Sequence, residues 1–148
     1  PKHLAGKPLN FYQYIIMDNI LNSAAEILLL IFMVITFLQS GIDKIIDWKG
    51  NLGWLKGHFE KTPLKNLVPI LLGTVLLVEM LAGILCLIGA YQIVASAKTD
   101  IALYGAVASC IALLMLLFGQ RIAKDYEGAR TIAVYFIPAI FLVFLLQP

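Results

Sequence analysis

Four long apolar runs constrain the fold of this chain more than any other feature of its sequence. They extend from Ala25 to Ile42, from Leu67 to Ala95, from Ile101 to Gly119 and from Ala129 to Leu146. A helix needs roughly 17 to 25 residues to cross the hydrocarbon core of a bilayer. We therefore predict an all-α protein, an integral membrane four-helix bundle with an interfacial N-terminal segment and an amphipathic first loop.

The composition supports a membrane setting. Apolar residues make up 61% of the chain, charged residues only 14%, and the mean hydropathy is +0.90, whereas soluble domains carry about 25% charge. The charges lie mostly between the apolar runs, which suits membrane topology better than nucleic-acid binding. We expect membrane lipids, and not nucleic acid, among its partners.

Residues 1–24 are predicted to form an N-terminal arm and interfacial segment, followed by a four-crossing domain over residues 25–148. The arm lacks an apolar core followed by a small-residue cleavage site, so it does not read as a signal peptide. Phe11, Tyr12 and Tyr14 are aromatic rings suited to the headgroup level.

Basic residues predict the orientation, because Lys and Arg accumulate in cytoplasmic loops. The first and third loops are the richer in them, with Lys44, Lys49, Lys56, Lys61, Lys65, Arg121, Lys124 and Arg130, against Lys2, Lys7 and Lys98 on the other side. Both termini are therefore predicted to lie outside the cytoplasm, in the inner (cytoplasmic) membrane of a prokaryote.

Glu79 is the most informative single residue, because it lies within an apolar run where an ionised side chain costs at least ~2.5 kcal/mol. It should be protonated, paired or directed into a polar cavity. In one interpretation it is neutral and hydrogen-bonded to a neighbouring helix, through Gln39, Ser40, Tyr104 or Ser109. In the other it relays protons or binds a polar ligand head such as a quinone carbonyl.

Small residues favour close packing around this position. Gly83 and Cys86 share a helical face with Glu79. On the third run, small residues recur every four positions, as in Gly105 and Ser109, a spacing that lets backbones approach in lipid. The face serves packing within the bundle or an interface with another subunit.

The sequence offers no ligand set for haem or metal inside the membrane. His3 and His58 both lie outside the crossings, and Cys86 and Cys110 lie in apolar runs without a C-x-x-C spacing, as expected of structural thiols. No cofactor held covalently or by metal ligands is expected. The ligands that we consider for this chain are a quinone and a lipid.

The first loop has a more regular pattern of apolar residues than a simple connector needs. Apolar residues recur from Trp48 to Phe59 at helical spacing, so we predict an interfacial helix with Trp48 and Trp54 as membrane anchors. Its glycines weaken it. It therefore either rests on the membrane surface or is ordered as a docking segment or lid.

The segment "FLQSGIDKIIDWKGN" marks the exit of the first helix. Gln39 and Asp43 are one turn apart, whereas Lys44 and Trp48 define another face. Gln39 and Ser40 lie still within the membrane and can face Glu79, with Asp43 nearby. Asp43 or Asp47 is also placed to meet Arg121 of the third loop and cap a polar entrance.

Together, "FLQSGIDKIIDW", "LLGTVLLVEMLAGILCLIG" and the four-crossing plan resemble the DoxX-like membrane proteins over about Ala25 to Leu146. The residues that align are Gly41, Lys44, Glu79, Gly83 and Gly89. The resemblance implies a four-helix bundle and a respiratory or quinone-linked redox context, and it transfers no catalytic residue.

The sequence thus predicts an accessory subunit of a larger membrane complex, without a redox centre of its own and associated with other membrane subunits. Two alternatives stay open: a stand-alone quinone-interacting oxidoreductase component, and a small proton-linked transporter.

Overall fold

The computed structural model describes residues 10–148, and within them the chain forms six helices and no strand. The helices are α1 (Phe11–Asn22), α2 (Ala24–Ile46), α3 (Trp48–His58), α4 (Val68–Ser96), α5 (Asp100–Ile122) and α6 (Tyr126–Leu146). Helices α2, α4, α5 and α6 are each long and apolar enough to cross a membrane. The predicted four-helix membrane bundle is confirmed, and the chain is a multi-pass membrane protein. The first part of the predicted arm, residues 1–9, lies outside the described residues.

The four long helices form a ring with one loosely closed side. Helix α4 packs along α2 and α5, and α5 packs along α6, whereas α2 and α6 touch only slightly. The ring of Phe32 on α2 stacks on that of Tyr135 on α6 with centroids 5.9 Å apart. We call this line of slight contact between α2 and α6 the seam.

Small residues bring α4 and α5 into close contact. A Cβ atom added at Gly89 would lie 2.5 Å from the Cα of Ala102, and one added at Gly105 would lie 2.7 Å from the backbone nitrogen of Cys86. Neither distance leaves room for a methyl group. The small residues of α5 thus serve packing within the bundle, which is the first of the two interpretations of their spacing.

Helix α1 lies beside the C-terminal end of α4. Asn19 Nδ2 donates a hydrogen bond to the carbonyl oxygen of Val94 at 3.0 Å. Because α4 has 29 residues, it is about 44 Å long and exceeds the roughly 30 Å of hydrocarbon. No residue of α1 is buried, and Phe11 and Tyr12 are more than three-quarters exposed. That this segment lies at the membrane interface stays a prediction.

Candidate functional site

Glu79 is the centre of the site, since its side chain is only 2% exposed within the bundle. It lies on α4 about 16 Å from the helix start, at a rise of 1.5 Å per residue. Its Oε2 atom is 2.9 Å from Nζ of Lys44, whose side chain is 16% exposed. Of the states expected for this carboxyl, the structure shows the paired one.

Ser40 completes the contact with α2. Its Oγ donates a hydrogen bond to Oε1 of Glu79 at 3.1 Å and accepts one from Lys44 Nζ. Lys44 Nζ also donates to the carbonyl oxygen of Ser40 at 3.3 Å. Ser40 and Lys44 are one turn apart, so one face of α2 presents a hydroxyl and an ammonium to the carboxyl. We call Ser40, Lys44 and Glu79 the buried triad.

The contact between Lys44 and Glu79 is chiefly electrostatic. Within the described residues, Oε2 has no hydrogen-bond partner of good geometry, although Nζ lies at 2.9 Å. Removing two ions from water costs several kcal/mol each, and this cost is offset only when they are paired and their remaining polar groups are satisfied. The triad is therefore an expensive arrangement, which is typical of functional sites within membranes.

The role of Lys44 was not predicted from the sequence. By spacing, Lys44 shares a face with Trp48, separate from Gln39 and Asp43, and its charge is explained by the exit of the helix from the membrane. In the structure the ammonium instead lies inside the bundle, because its long apolar stem can pack along α2 while the charged end reaches Glu79. The four-residue spacing from Ser40 was the available signal.

A cavity of about 450 Å³ opens beside Glu79 at the seam. Its polar lining residues are Thr36, Gln39, Ser40, Asp43, Glu79 and Tyr135, and its apolar ones include Phe32, Phe37, Leu113 and Leu116. Gln39 and Asp43 are exposed at its mouth. This seam cavity thus gathers all four residues that the sequence analysis selected as the intramembrane polar site: Gln39, Ser40, Asp43 and Glu79.

Of the four suggested partners, only Ser40 is hydrogen-bonded to Glu79. Gln39 lines the same cavity without such a bond, and the other two do not reach the carboxyl. Tyr104 is 64% exposed on the outer face of α5. Ser109 is buried, but its Oγ donates to the carbonyl oxygen of Gly105 at 2.8 Å and lies 3.6 Å from Sγ of Cys86. The suggestion was wrong for Tyr104 because it lies on the outer face of α5. It was wrong for Ser109 because this residue lies at the depth of Cys86, about two helical turns along α4 from Glu79.

A second cavity, of about 360 Å³, lies beneath α3, between it and helices α4 and α5. Its polar lining residues are Lys44, Asn51, His58 and Gln120, and most of its other lining is apolar. Leu116 lines both cavities. Lys44 therefore borders this α3 cavity while its partner Glu79 borders the seam cavity, and the ion pair lies between the two.

His58 connects α3 to the bundle. Its Nε2 atom lies 3.0 Å from Oε1 of Gln120 and 3.9 Å from Oδ2 of Asp125, and its ring stacks on that of Trp54 at 4.6 Å. Trp54 is 61% exposed, and so remains free to act as a membrane anchor. Trp48 is half-buried and approaches Gly73 of α4.

The predicted contact of Asp43 or Asp47 with Arg121 does not form. Asp47 instead accepts a hydrogen bond from the backbone nitrogen of Gly50 at 3.1 Å, which caps the start of α3. The guanidinium of Arg121 lies 5.0 Å from the centre of the Tyr126 ring. The first and third loops do meet, but through His58 with Gln120 and Asp125.

The remaining candidate chemistry is limited. Among residues 10–148, no group of three or more His, Cys, Asp or Glu side chains is placed to hold a metal ion. Cys86 and Cys110 are free thiols, both buried. Two kinds of chemistry are left for the site. Its polar groups can hydrogen-bond a polar group of a ligand at the seam. Lys44 and Glu79 can also hold a proton or exchange one.

No family model, curated protein or solved structure matches this chain.

Proposed function

We propose that this protein is a small accessory subunit of a larger, quinone-linked respiratory membrane complex. It has no redox centre of its own, and it offers the seam cavity to the polar head of a lipophilic molecule such as a quinone. The observation that carries the proposal is the seam cavity itself, in which hydrogen-bonding groups lie at membrane depth beside a loosely closed side of the bundle.

The size and lining of the cavity suit such a ligand. Its volume of about 450 Å³ lies within the roughly 300 to 1,000 Å³ of small-molecule sites, which combine apolar walls with a few placed polar groups. The Gln39 amide is a donor suited to a carbonyl oxygen, whereas the single proton of the Ser40 hydroxyl is already donated to Glu79. Phe32 and Tyr135 supply aromatic surface for a ring.

The route of entry also favours a lipophilic molecule. Ile35, which lines the cavity, is 59% exposed on the outside of the bundle. Phe32 and Tyr135 at the seam are 37% and 36% exposed. Since α2 and α6 touch only slightly, a ligand can enter from the lipid without crossing the close contact between α4 and α5.

The accessory role is supported by the position of the histidines in the chain and by the resemblance to DoxX-like proteins. Its two histidines lie outside the crossings, so a haem would have to be supplied by another subunit. Two members of the buried triad, Lys44 and Glu79, are also among the positions that carry the resemblance. We place the chain in the cytoplasmic membrane of a prokaryote, with α3 and the third loop on the cytoplasmic side.

Purification from native membranes in mild detergent tests the proposal. We expect the tagged protein to co-purify stoichiometrically with respiratory subunits, and its extract to contain quinone. Gln39→Leu should reduce the bound quinone, whereas the control Thr131→Val, an exposed change on α6 away from the cavity lining, should not. A lone monomer or homodimer that carries quinone would contradict the accessory role. Quinone content unaffected by Gln39→Leu would contradict the assignment of the cavity.

A further inference from the structure

The ion pair of Lys44 and Glu79 lies between two cavities, one at the end of the bundle and one deeper inside it. The α3 cavity lies at the end of the bundle formed by the first and third loops, which we call the loop face, and it contains His58 and Gln120. The seam cavity lies deeper and contains Glu79. Lys44 lines the first cavity and contacts the carboxyl of the second at 2.9 Å. It is thus placed between the loop face and the buried acid.

The α3 cavity is large enough to hold water near Lys44. A volume of about 360 Å³ corresponds to about a dozen waters at ~30 Å³ each. Asn51, His58 and Gln120 supply polar partners for such waters along its lining. His58 in turn lies 3.9 Å from Asp125, so titratable groups extend from the third loop to the cavity.

Few other titratable groups face the pair. Along the seam cavity, α2 contributes Asp43 besides Lys44, and α6 contributes Tyr135. Helix α5 contributes only the apolar residues Leu113 and Leu116 there. On the α3 side, His58 is the titratable residue of the cavity lining besides Lys44.

We infer that Lys44 carries protons between the α3 cavity and Glu79, so that the buried carboxyl exchanges protons with the loop face of the membrane. In this step the Ser40 hydroxyl, which accepts from Lys44 Nζ and donates to Oε1 of Glu79, gives its proton to Oε1 and takes one from the ammonium. An N–H bond of Lys44 breaks and an O–H bond forms at Oε1, which leaves a neutral amine, an unchanged Ser40 hydroxyl and a neutral carboxylic acid. The amine then takes a proton from a hydronium ion in the α3 cavity, which leaves water there. The first step moves no net charge and removes two charges that are costly to keep in a medium of low dielectric constant. The second step returns one positive charge to Lys44, and this charge is balanced again when Glu79 gives up its proton.

The path ends at Glu79. Toward the other end of the bundle, the neighbouring interior is filled by Met33 and Phe37, which are each 1% exposed. Phe37 and Leu113 form the apolar wall of the seam cavity beside the carboxyl. The described residues thus provide a polar route from one face only, which matches delivery of a proton to a bound ligand and not transport across the membrane.

The test uses the purified protein alone, reconstituted in vesicles of uniform orientation, with a rapid pH decrease applied to one side. Infrared absorption of the protonated carboxyl follows Glu79, and the band is assigned by its loss in Glu79→Gln. The key variant is Lys44→Arg. Arginine keeps the positive charge and the ion pair but does not release its proton in proteins, so it separates a relay from a merely structural role.

We expect the wild-type band to respond faster to a pH step on the loop face than to a step on the opposite face. Lys44→Arg should slow the response by about 100-fold or more, the scale typical of a positioned proton donor, with little change in thermal stability. Equal responses from both faces would overturn the inference. So would an unchanged rate in Lys44→Arg, or the absence of any Glu79 band.

The inference rests on the proposed function only in assigning a purpose to the proton, namely delivery to a ligand in the seam cavity. Because the vesicles contain neither a partner subunit nor a quinone, the infrared result and the co-purification result can fail independently.

Discussion

The carboxylate of Glu79 on α4 and the ammonium of Lys44 on α2 lie 2.9 Å apart in the interior of the bundle. The pair holds together two helices that also pack through Gly83, where an added Cβ would lie 2.6 Å from Leu38. Each of these two charges, on different helices, thus offsets the cost of burying the other. The first prediction concerns this dependence.

Removing one charge should destabilise the bundle more than removing both. Lys44→Met leaves Glu79 buried without its counter-ion, and we expect a loss of about 3 kcal/mol or more in the free energy of unfolding. The double variant Lys44→Met/Glu79→Leu should recover most of that loss, because no unpaired charge remains. Unfolding by graded denaturing detergent, monitored by circular dichroism, measures both.

Asp43→Asn is the control for this comparison. Asp43 is exposed at the mouth of the seam cavity, so the change should alter stability by no more than about 0.5 kcal/mol. If Lys44→Met were as mild as Asp43→Asn, the ion pair would contribute little to folding.

Glycines at the contact between α4 and α5 should not tolerate a methyl group. In Gly105→Ala the new Cβ would lie 2.7 Å from the backbone nitrogen of Cys86, which cannot rotate away. We expect a loss of about 1 to 3 kcal/mol, as for other overpacked interiors, and a similar result for Gly89→Ala. Thermal unfolding in detergent is the measurement.

The matched substitution Gly53→Ala should have the opposite sign. Nothing lies within 4 Å of a Cβ added at this position of α3, and alanine favours a helix over glycine by about 0.5 to 1 kcal/mol. We expect α3 amides to exchange more slowly with deuterium. Destabilisation by Gly53→Ala would mean that α3 needs its glycine flexibility.

His58 should control how firmly α3 is held. His58→Phe keeps an aromatic ring to stack on Trp54 but loses the contact with Gln120 at 3.0 Å, which we expect to cost about 1 kcal/mol. Deuterium exchange should accelerate in α3 and remain unchanged in the middle of α4. Lys56→Gln, an exposed change on the same helix, serves as the control and should leave both helices unaffected.

The orientation can be tested by thiol labelling of intact cells. The native thiols Cys86 and Cys110 are 0% and 7% exposed and should give little background. An impermeant reagent should label Lys98→Cys, which lies between α4 and α5. It should reach Gly53→Cys in α3 only after permeabilisation, because the first loop carries more basic residues. The reverse pattern would place the loop face outside.

Much of the fold could be predicted from the sequence because the bilayer restricts the choices. Runs such as Ile101 to Gly119 are long enough to cross and must satisfy their backbone hydrogen bonds within the helix. The same limit made Glu79 conspicuous, since a carboxyl within such a run needs an explanation. Gln39, Ser40 and Asp43 were selected with Glu79 because they are the polar residues at the membrane end of the first run, and the structure places all four in the lining of one cavity.

The tertiary structure alone decided how the charges are paired. Lys44 lies at the end of its apolar run, and by spacing alone it is as compatible with the headgroups as with the interior. Which way its ammonium turns depends on where Glu79 of α4 meets α2, and that depth is set by packing at contacts such as Gly83 with Leu38. The meeting of His58 with Gln120 depends likewise on how α3 folds back over α5. Sequence determined that the helices cross the membrane, because burial of apolar length is a property of each segment. The site between them was decided by helix packing, because its distances join residues far apart in the chain.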